Sequence, residues 1–104
     1  MNDVMERIKA ISQRIKEKYN AQRVILFGSY ARNEVTEDSD VDILVIAPTK
    51  ERFYERMATV LGFVRDLYQG LALSPIVLRP EELARRIEMG DQFVQEILET
   101  GKEL

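Results

Sequence analysis

The chain contains 104 residues, 45% of them hydrophobic and 32% charged, with neither cysteine nor histidine and a formal net charge of −3. The missing residue types exclude disulfides, thiolate zinc sites and catalysis by cysteine or imidazole, so any chemistry must use carboxylates, hydroxyls and metal ions. The acidic balance argues against nucleic acid as a partner, because strand or duplex binding normally needs a basic face.

The composition predicts one globular domain over residues 1–104, with a single modest core. No apolar run approaches the length of a membrane span. The segment from Met1 to Arg7 carries neither the basic leader nor the apolar core of a secretion signal. We therefore expect a cytoplasmic protein that has no membrane partner.

The first predicted elements are a helix and a strand. Apolar residues recur along the first segment at spacings of four, three and four, at Val4, Ile8, Ile11 and Ile15. This period predicts an amphipathic helix over residues 2 to about 18. The run of β-forming residues Arg23–Phe27 predicts a short strand.

A tight turn follows that strand at Gly28 and Ser29. Glycine allows a sharp turn and the close approach of a ligand, and a short helix can begin at Tyr30. A turn that leads into a helix presents unpaired N–H groups, and the serine adds a hydroxyl, so the segment is predicted to bind a phosphate. Arg32 is predicted to contact the phosphate as well, and Asn33 to leave the short helix with positive φ.

Two carboxylates, Asp40 and Asp42, mark the start of the next predicted strand, residues 41–47, which Pro48 ends. Residues two apart on a strand share a face and lie roughly 6.6 Å apart along the chain. The pair can therefore converge on one cation, or on two metal ions about 3.5–4 Å apart. Oxygen ligands without histidine or cysteine favour Mg²⁺ or Mn²⁺.

Other interpretations of these motifs fit less well. A carboxylate pair alone is usually a solvated turn, but the order of strand, glycine-serine turn, polar connection, carboxylate pair and strand is more specific than either part. A calcium-binding helix-loop-helix is excluded, because Ile43 replaces the required glycine and Thr49 the closing glutamate. The sequence also lacks the GxGxxG and Gly-Lys-Ser/Thr patterns of dinucleotide and P-loop sites.

The second half of the chain predicts a long helix over about residues 50–69, a strand over residues 71–78, a helix that starts at Pro80, and a short helix between Asp91 and Gly101. Strands separated by helices predict an α/β (α+β) fold. We expect a small mixed sheet of about three strands, covered by helices on one face.

The sequence from Gly28-Ser29 to Ser39-Asp40 and Asp42 resembles the signature of the DNA polymerase β-like nucleotidyltransferase superfamily, specifically its small stand-alone members, the minimal nucleotidyltransferases. The resemblance covers most of the chain and implies the nucleotidyltransferase fold. It implies that Gly28 and Ser29 bind the triphosphate of ATP or another NTP, with Ser39 as a further nucleotide contact. Asp40 and Asp42 would hold two divalent cations.

The sequence departs from the family pattern at two positions. Asn33 replaces a glycine, which is a mild change because both residues accept the left-handed conformation. The family's third carboxylate belongs on the strand predicted over residues 71–78, where no acid occurs, and Ser74 or Ile76 stands at that position. The third carboxylate helps to deprotonate the attacking hydroxyl, so its loss affects turnover more than nucleotide binding.

The resemblance also implies a partner. Small members of the family are often encoded beside a helical HEPN-domain protein, as toxin–antitoxin pairs in which the transferase attaches AMP to its toxin. The chain is thus interpreted as a Mg²⁺-dependent nucleotidyltransferase that acts as an antitoxin. The alternative is a module that binds nucleotide and partner but transfers nothing. The base, the acceptor and the existence of a homo-oligomer stay open.

Overall fold

The computed structural model describes residues 3–104. Within this range the elements follow in the order α1 (Asp3–Lys18), β1 (Arg23–Phe27), α2 (Ser29–Arg32), β2 (Val41–Ile46), α3 (Phe53–Phe63), β3 (Leu73–Leu78), α4 (Pro80–Glu88), α5 (Gln92–Thr100) and β4 (Lys102–Glu103). The first predicted helix is therefore confirmed from Asp3 onward, and Asn2 lies outside the described residues.

The strands form one mixed sheet in the order β3-β2-β1-β4. β1 pairs antiparallel with both β2 and β4, whereas β2 and β3 are parallel and are joined by the crossover helix α3. The pairing places Phe27 opposite Asp42, and Asp42 beside Ser74. These three residues therefore lie in one row across three neighbouring strands. The prediction of an α/β fold with a small mixed sheet is confirmed.

Helices cover both faces of the sheet, so the prediction of one covered face was wrong. Val41, Ile43 and Val45 pack on the side of α1 and α3, whereas Leu44 and Ile46 pack on the side of α4 and α5. Both faces are covered because the apolar residues of β2 follow one another without alternating with polar ones. A strand that is buried on both faces is apolar at nearly every position.

The sheet also has one strand more than predicted. β4 is a pair of exposed polar residues without a strand pattern, and backbone pairing with Ile25 and Leu26 defines it. An ion pair of 2.7 Å between Arg23 and Glu103 supports the pairing. Gly101 precedes β4, and a Cβ added there would lie 2.5 Å from the carbonyl oxygen of Ile97. Only glycine therefore lets the chain pass this close to the end of α5.

Helix α3 is shorter than the predicted span of residues 50–69. It begins after Arg52, whose N–H donates to Glu55 Oε1 at 2.9 Å. Beyond Phe63 the chain continues in turns, with N–H groups bonded three residues back, as from Val64 to the carbonyl of Leu61. Val64 remains buried in these turns, which explains why the apolar pattern outlasts the helix.

A buried arginine ties α3 to α4, which the sequence did not reveal. Arg56 is 1% exposed, and its guanidinium donates to Glu82 Oε1 at 2.7 Å and to the carbonyl of Val77 at 3.1 Å. The hydrogen bond from Arg56 holds the pKa of Glu82 below its usual value. The ion pair therefore compensates the buried charge and fixes the end of β3 between the two helices.

Among residues 3–104, no helix combines the length and the apolar composition needed to cross a membrane.

Candidate functional site

The turn after β1 is built around Gly28. Its φ of 74° and ψ of −152° are strained for any residue with a side chain. A Cβ at this position would also lie 2.5 Å from Asp42 Oδ2, which is closer than real Cβ contacts. Glycine thus brings the backbone of the turn directly against a carboxylate of the neighbouring strand, and this juxtaposition is the centre of the candidate site.

The segment after the glycine has the predicted conformation. Ser29–Arg32 forms the short helix α2, and Asn33 ends it with φ of 60° and ψ of 38°, as predicted. The N–H of Glu34 donates to the carbonyl of Ser29 at 2.9 Å and closes the turn. The first N–H groups of a helix have no partner within it, so the start of α2 presents donors beside Gly28.

The structure brings Asp40 and Asp42 together at the edge of β2. Asp42 is the second residue of the strand and half-buried, whereas Asp40 precedes the strand and is exposed. Burial raises the pKa of Asp42, the negative charge of Asp40 raises it further, and the charge of Arg32 opposes both effects. Two negative charges therefore repel each other at a partly buried position, and a bound cation would reduce this repulsion.

Ser74 is the direct neighbour of Asp42 in the parallel pair of β2 and β3. Residues paired across neighbouring strands share a face and lie about 4.8 Å apart. Ile76, the other residue considered for the third carboxylate, packs further along the strand in the core under α4 and α5. Ser74 therefore occupies the position beside Asp42. Within residues 3–104, no three acidic, histidine or cysteine side chains gather closely enough to hold a metal.

Arg32 lies close enough to act electrostatically on Asp42, since its charge lowers the pKa of that carboxyl. Its Nε also pairs with Glu34 at 3.3 Å, with both side chains more than half exposed. Exposed ion pairs contribute only about 0–1 kcal/mol, so an incoming phosphate can replace this one. The phosphate contact of Arg32 remains a prediction.

Ser39 belongs to the connection that precedes β2. Its hydroxyl accepts a hydrogen bond of 2.8 Å from the N–H of Thr36, and its own N–H donates to the carbonyl of Thr36 at 3.1 Å. These bonds shape the loop that delivers Asp40 and Asp42 to the sheet edge. The nucleotide contact of Ser39 likewise remains a prediction.

A recess adjoins the glycine turn, between the end of β1 and helix α5, and we call it the α5 cleft. Its volume is about 210 Å³, and its lining includes Phe27, Gly28, Arg32, Phe93, Glu96 and Thr100. The sequence predicted α5 but gave no indication that its outer residues lie beside the Gly28 turn. In the folded chain Phe93, a large apolar residue of α5, is 49% exposed and lines this cleft.

Comparison with known proteins identifies the family. Residues 8–102 match the family described as "Nucleotidyltransferase domain", and the chain belongs to that family. Two proteins of Methanocaldococcus jannaschii, each named "Putative protein adenylyltransferase", are similar to it. One is 37% identical over 79% of this chain and 88% of the relative, and the other is 33% identical over 93% of each.

The fold comparison agrees with the family. The crystal structure of a protein from Sulfolobus solfataricus, described as "a putative nucleotidyltransferase", superposes with a TM-score of 0.59 and 27% sequence identity, over 80% of this chain and 73% of that one. The nucleotidyltransferase resemblance and the assignment as a transferase enzyme are confirmed. The minimal subfamily and the HEPN-domain partner remain predictions.

The site predicts that the two aspartates are dispensable for folding. The double variant Asp40→Asn/Asp42→Asn removes a repulsion between like charges and should leave the free energy of unfolding unchanged or slightly higher. Leu44 is buried two residues further along the same face, and Leu44→Ala should cost about 2–5 kcal/mol. Denaturant unfolding in chelator measures both. An Asn variant that unfolds would show that these carboxylates are structural.

Proposed function

We propose that the chain is a Mg²⁺-dependent nucleotidyltransferase that transfers AMP from ATP to a protein acceptor in the cytoplasm. We propose further that the acceptor is a HEPN-domain toxin, so that the chain acts as its antitoxin. The observation that carries the proposal is the contact between the Gly28 turn and Asp42, where only a residue without a Cβ leaves room beside the carboxylate. The turn that is predicted to bind phosphate and a carboxylate that is proposed to bind metal thereby lie side by side.

The residues present fit a divalent cation. The donor set consists of carboxylate oxygens, and Mg²⁺ is usually held by one or two carboxylates together with the phosphates of its substrate. Burial and the charge of Asp40 raise the pKa of Asp42, and the charge of Arg32 opposes them only in part, so a bound cation would stabilise the ionised carboxylate. Asp40 and Asp42 would hold Mg²⁺ or Mn²⁺, which neutralises the charge of the phosphates when bound.

The residues of the chain position the reacting groups. Gly28 and Ser29 would seat the β- and γ-phosphates on backbone N–H groups and the serine hydroxyl, with Arg32 beside them. The acceptor hydroxyl then attacks the α-phosphorus in line. The new oxygen–phosphorus bond forms as the bond to the β-phosphate oxygen breaks, pyrophosphate leaves, and the acceptor proton passes to water. Positioning and charge neutralisation supply most of the rate in such reactions.

Two observations favour a protein acceptor and AMP. The formal net charge of −3 disfavours a nucleic-acid acceptor. The relatives from Methanocaldococcus jannaschii are named as protein adenylyltransferases, and they cover most of this chain. The HEPN-domain partner rests on the resemblance to the minimal nucleotidyltransferases, because fold and motif alone do not specify an acceptor.

A second candidate function is supported by Ser74. A hydroxyl at the position of the third carboxylate cannot accept the proton of the acceptor at neutral pH. A chain with this site could bind nucleotide and partner while it transfers AMP slowly or not at all. In that case neutralisation of the toxin would come from binding alone.

The test uses ATP labelled at either the α- or the γ-phosphate, with Mg²⁺ and the purified HEPN-domain protein. We expect the α-label to become covalently attached to the partner and the γ-label to leave as pyrophosphate. Asp40→Asn should abolish the attachment, whereas Asp38→Asn, the same change in the exposed loop before it, should not. Transfer of the γ-label would indicate a kinase. Neutralisation without either label would establish the binding module.

A further inference from the structure

The α5 cleft is continuous with the proposed phosphate turn, because Gly28 and Arg32 belong to both. Its volume of about 210 Å³ is below the range of roughly 300–1,000 Å³ that is typical of complete small-molecule sites. A cleft of this size has room for one part of a nucleotide while the rest lies outside. The proposed site provides contacts for the phosphates but none for the base. The cleft lies beside the turn, so the base is the part of the nucleotide that it could hold.

An aromatic ring forms the apolar part of the cleft. Phe93 lies edge-to-face with Phe27, with ring centroids 5.8 Å apart and ring planes at 88°. This contact fixes the position of the phenyl ring, yet Phe93 remains 49% exposed. Every base offers a flat π-face, so a fixed and exposed ring is a surface on which a base can stack.

The row of paired residues across the sheet sets the direction in which the nucleotide would lie. Phe27 pairs with Asp42, and Asp42 pairs with Ser74, so the three occupy neighbouring strands on one face. The Phe27–Phe93 pair is thus next to Asp42, the carboxylate that is proposed to hold the metal ion at the reacting phosphate. With the base on the β1 side, the β3 side around Ser74 is left for the acceptor.

A free carboxylate supplies the polar part of the cleft. Glu96 is exposed, and within residues 3–104 its side chain has no hydrogen-bond or ion-pair partner. The neighbouring Thr100 hydroxyl donates to the carbonyl of Glu96 at 2.8 Å and so is already engaged as a donor. An ionised carboxylate only accepts hydrogen bonds, so it favours a base edge with an amino group and disfavours one with a carbonyl.

We propose that the α5 cleft is the base subsite of the nucleotide site, in which Phe93 stacks on the base and Glu96 accepts a hydrogen bond from its amino group. The ligand class is a nucleoside triphosphate whose base carries an exocyclic amino group. This inference rests on the proposed function, because it assigns the base of the same nucleotide whose phosphates the Gly28 turn would hold.

The test measures the binding of three ligands by calorimetry in the presence of Mg²⁺: ATP, ITP and inorganic tripolyphosphate. Phe93→Ala should weaken ATP binding about 5- to 150-fold, the range that loss of one stacking contact produces, and should leave tripolyphosphate binding unchanged. Phe53→Ala, the same change at an exposed residue of α3, should alter neither. Glu96→Gln should reduce the preference for ATP over ITP, because ITP carries a carbonyl in place of the amino group and an amide can donate to it.

Other outcomes separate this inference from the proposed function. If the wild type binds no ligand, the phosphate site itself is wrong and the base subsite falls with it. If ATP and tripolyphosphate bind equally, or Phe93→Ala weakens both equally, the phosphate site stands and the base subsite is overturned. Phe93→Leu retains apolar contact with Phe27 but removes the aromatic face, so it must show the same selective loss of ATP if stacking is the cause. Unchanged ATP binding by a folded Phe93→Leu would overturn the proposal.

Discussion

Asp42→Asn is expected to abolish the dependence of nucleotide binding on Mg²⁺. In the wild type, the triphosphate and the two carboxylates repel each other, so ATP should bind measurably only when Mg²⁺ or Mn²⁺ is present. Asp42→Asn removes the half-buried carboxylate that lies against the Gly28 turn and leaves exposed Asp40 as the one carboxylate of the proposed pair. Calorimetric titration of ATP with Mg²⁺ and in chelator measures this coupling in both proteins.

Asp38→Asn provides the matched control. Asp38 is an exposed residue in the loop before β2, and its substitution changes the net charge by the same amount. It should leave the Mg²⁺ dependence intact. Equal affinity for ATP with metal and in chelator, in the wild type, would contradict the assignment of the aspartates as metal ligands. A coupling retained in Asp42→Asn would contradict the role of that residue.

Local signals made several elements predictable. The glycine-serine turn and Asn33 allowed the end of β1 and the exit from α2 to be placed, because the left-handed conformation at Asn33 is a property of one residue. The last helix was bracketed by Asp91, whose carboxylate accepts from the N–H of Val94 at 3.2 Å, and by Gly101. Caps and turns depend on a few adjacent residues, so a sequence shows them directly.

The features that were missed depend on contacts distant in sequence. The apolar run in β2 is typical of a strand with two covered faces, but α4 and α5, the helices that cover the second face, lie far from β2 in the sequence. β4 has no pattern of its own, since its place comes from pairing with β1. The α5 cleft likewise joins Phe93 to the turn at Gly28, residues that only the folded sheet brings together.

The same distinction applies within the candidate site. The sequence motif predicted that Gly28, Asp40 and Asp42 belong to one site. The structure shows the close approach of the glycine to Asp42. The choice between Ser74 and Ile76 required the strand register, because parallel neighbours far apart in sequence have no local signal for their alignment. The strand register therefore identifies Ser74 as the residue at which a third carboxylate can be introduced.

Ser74→Asp is expected to accelerate transfer of AMP to the partner protein by one or more orders of magnitude. Ser74 lies beside Asp42 on the same face, so an aspartate there would place a third carboxylate next to this proposed metal ligand. A carboxylate can accept the proton of the attacking hydroxyl, which serine cannot, and general-base catalysis typically contributes about 10²–10⁴-fold. Single-turnover transfer from α-labelled ATP to the HEPN-domain protein, with saturating Mg²⁺, measures the rate.

Ser74→Asn is the matched control, because asparagine has the size of aspartate but accepts no proton at neutral pH; it should not accelerate transfer.

A second readout is independent of the acceptor. A third negative charge should make the apo protein less stable and increase the rise in Tm on addition of Mg²⁺, since a ligand that binds only the folded state stabilises it. If the wild type already transfers rapidly and Ser74→Asp slows it, another group serves as the base. If neither protein labels the partner while both still neutralise it, binding alone is the function.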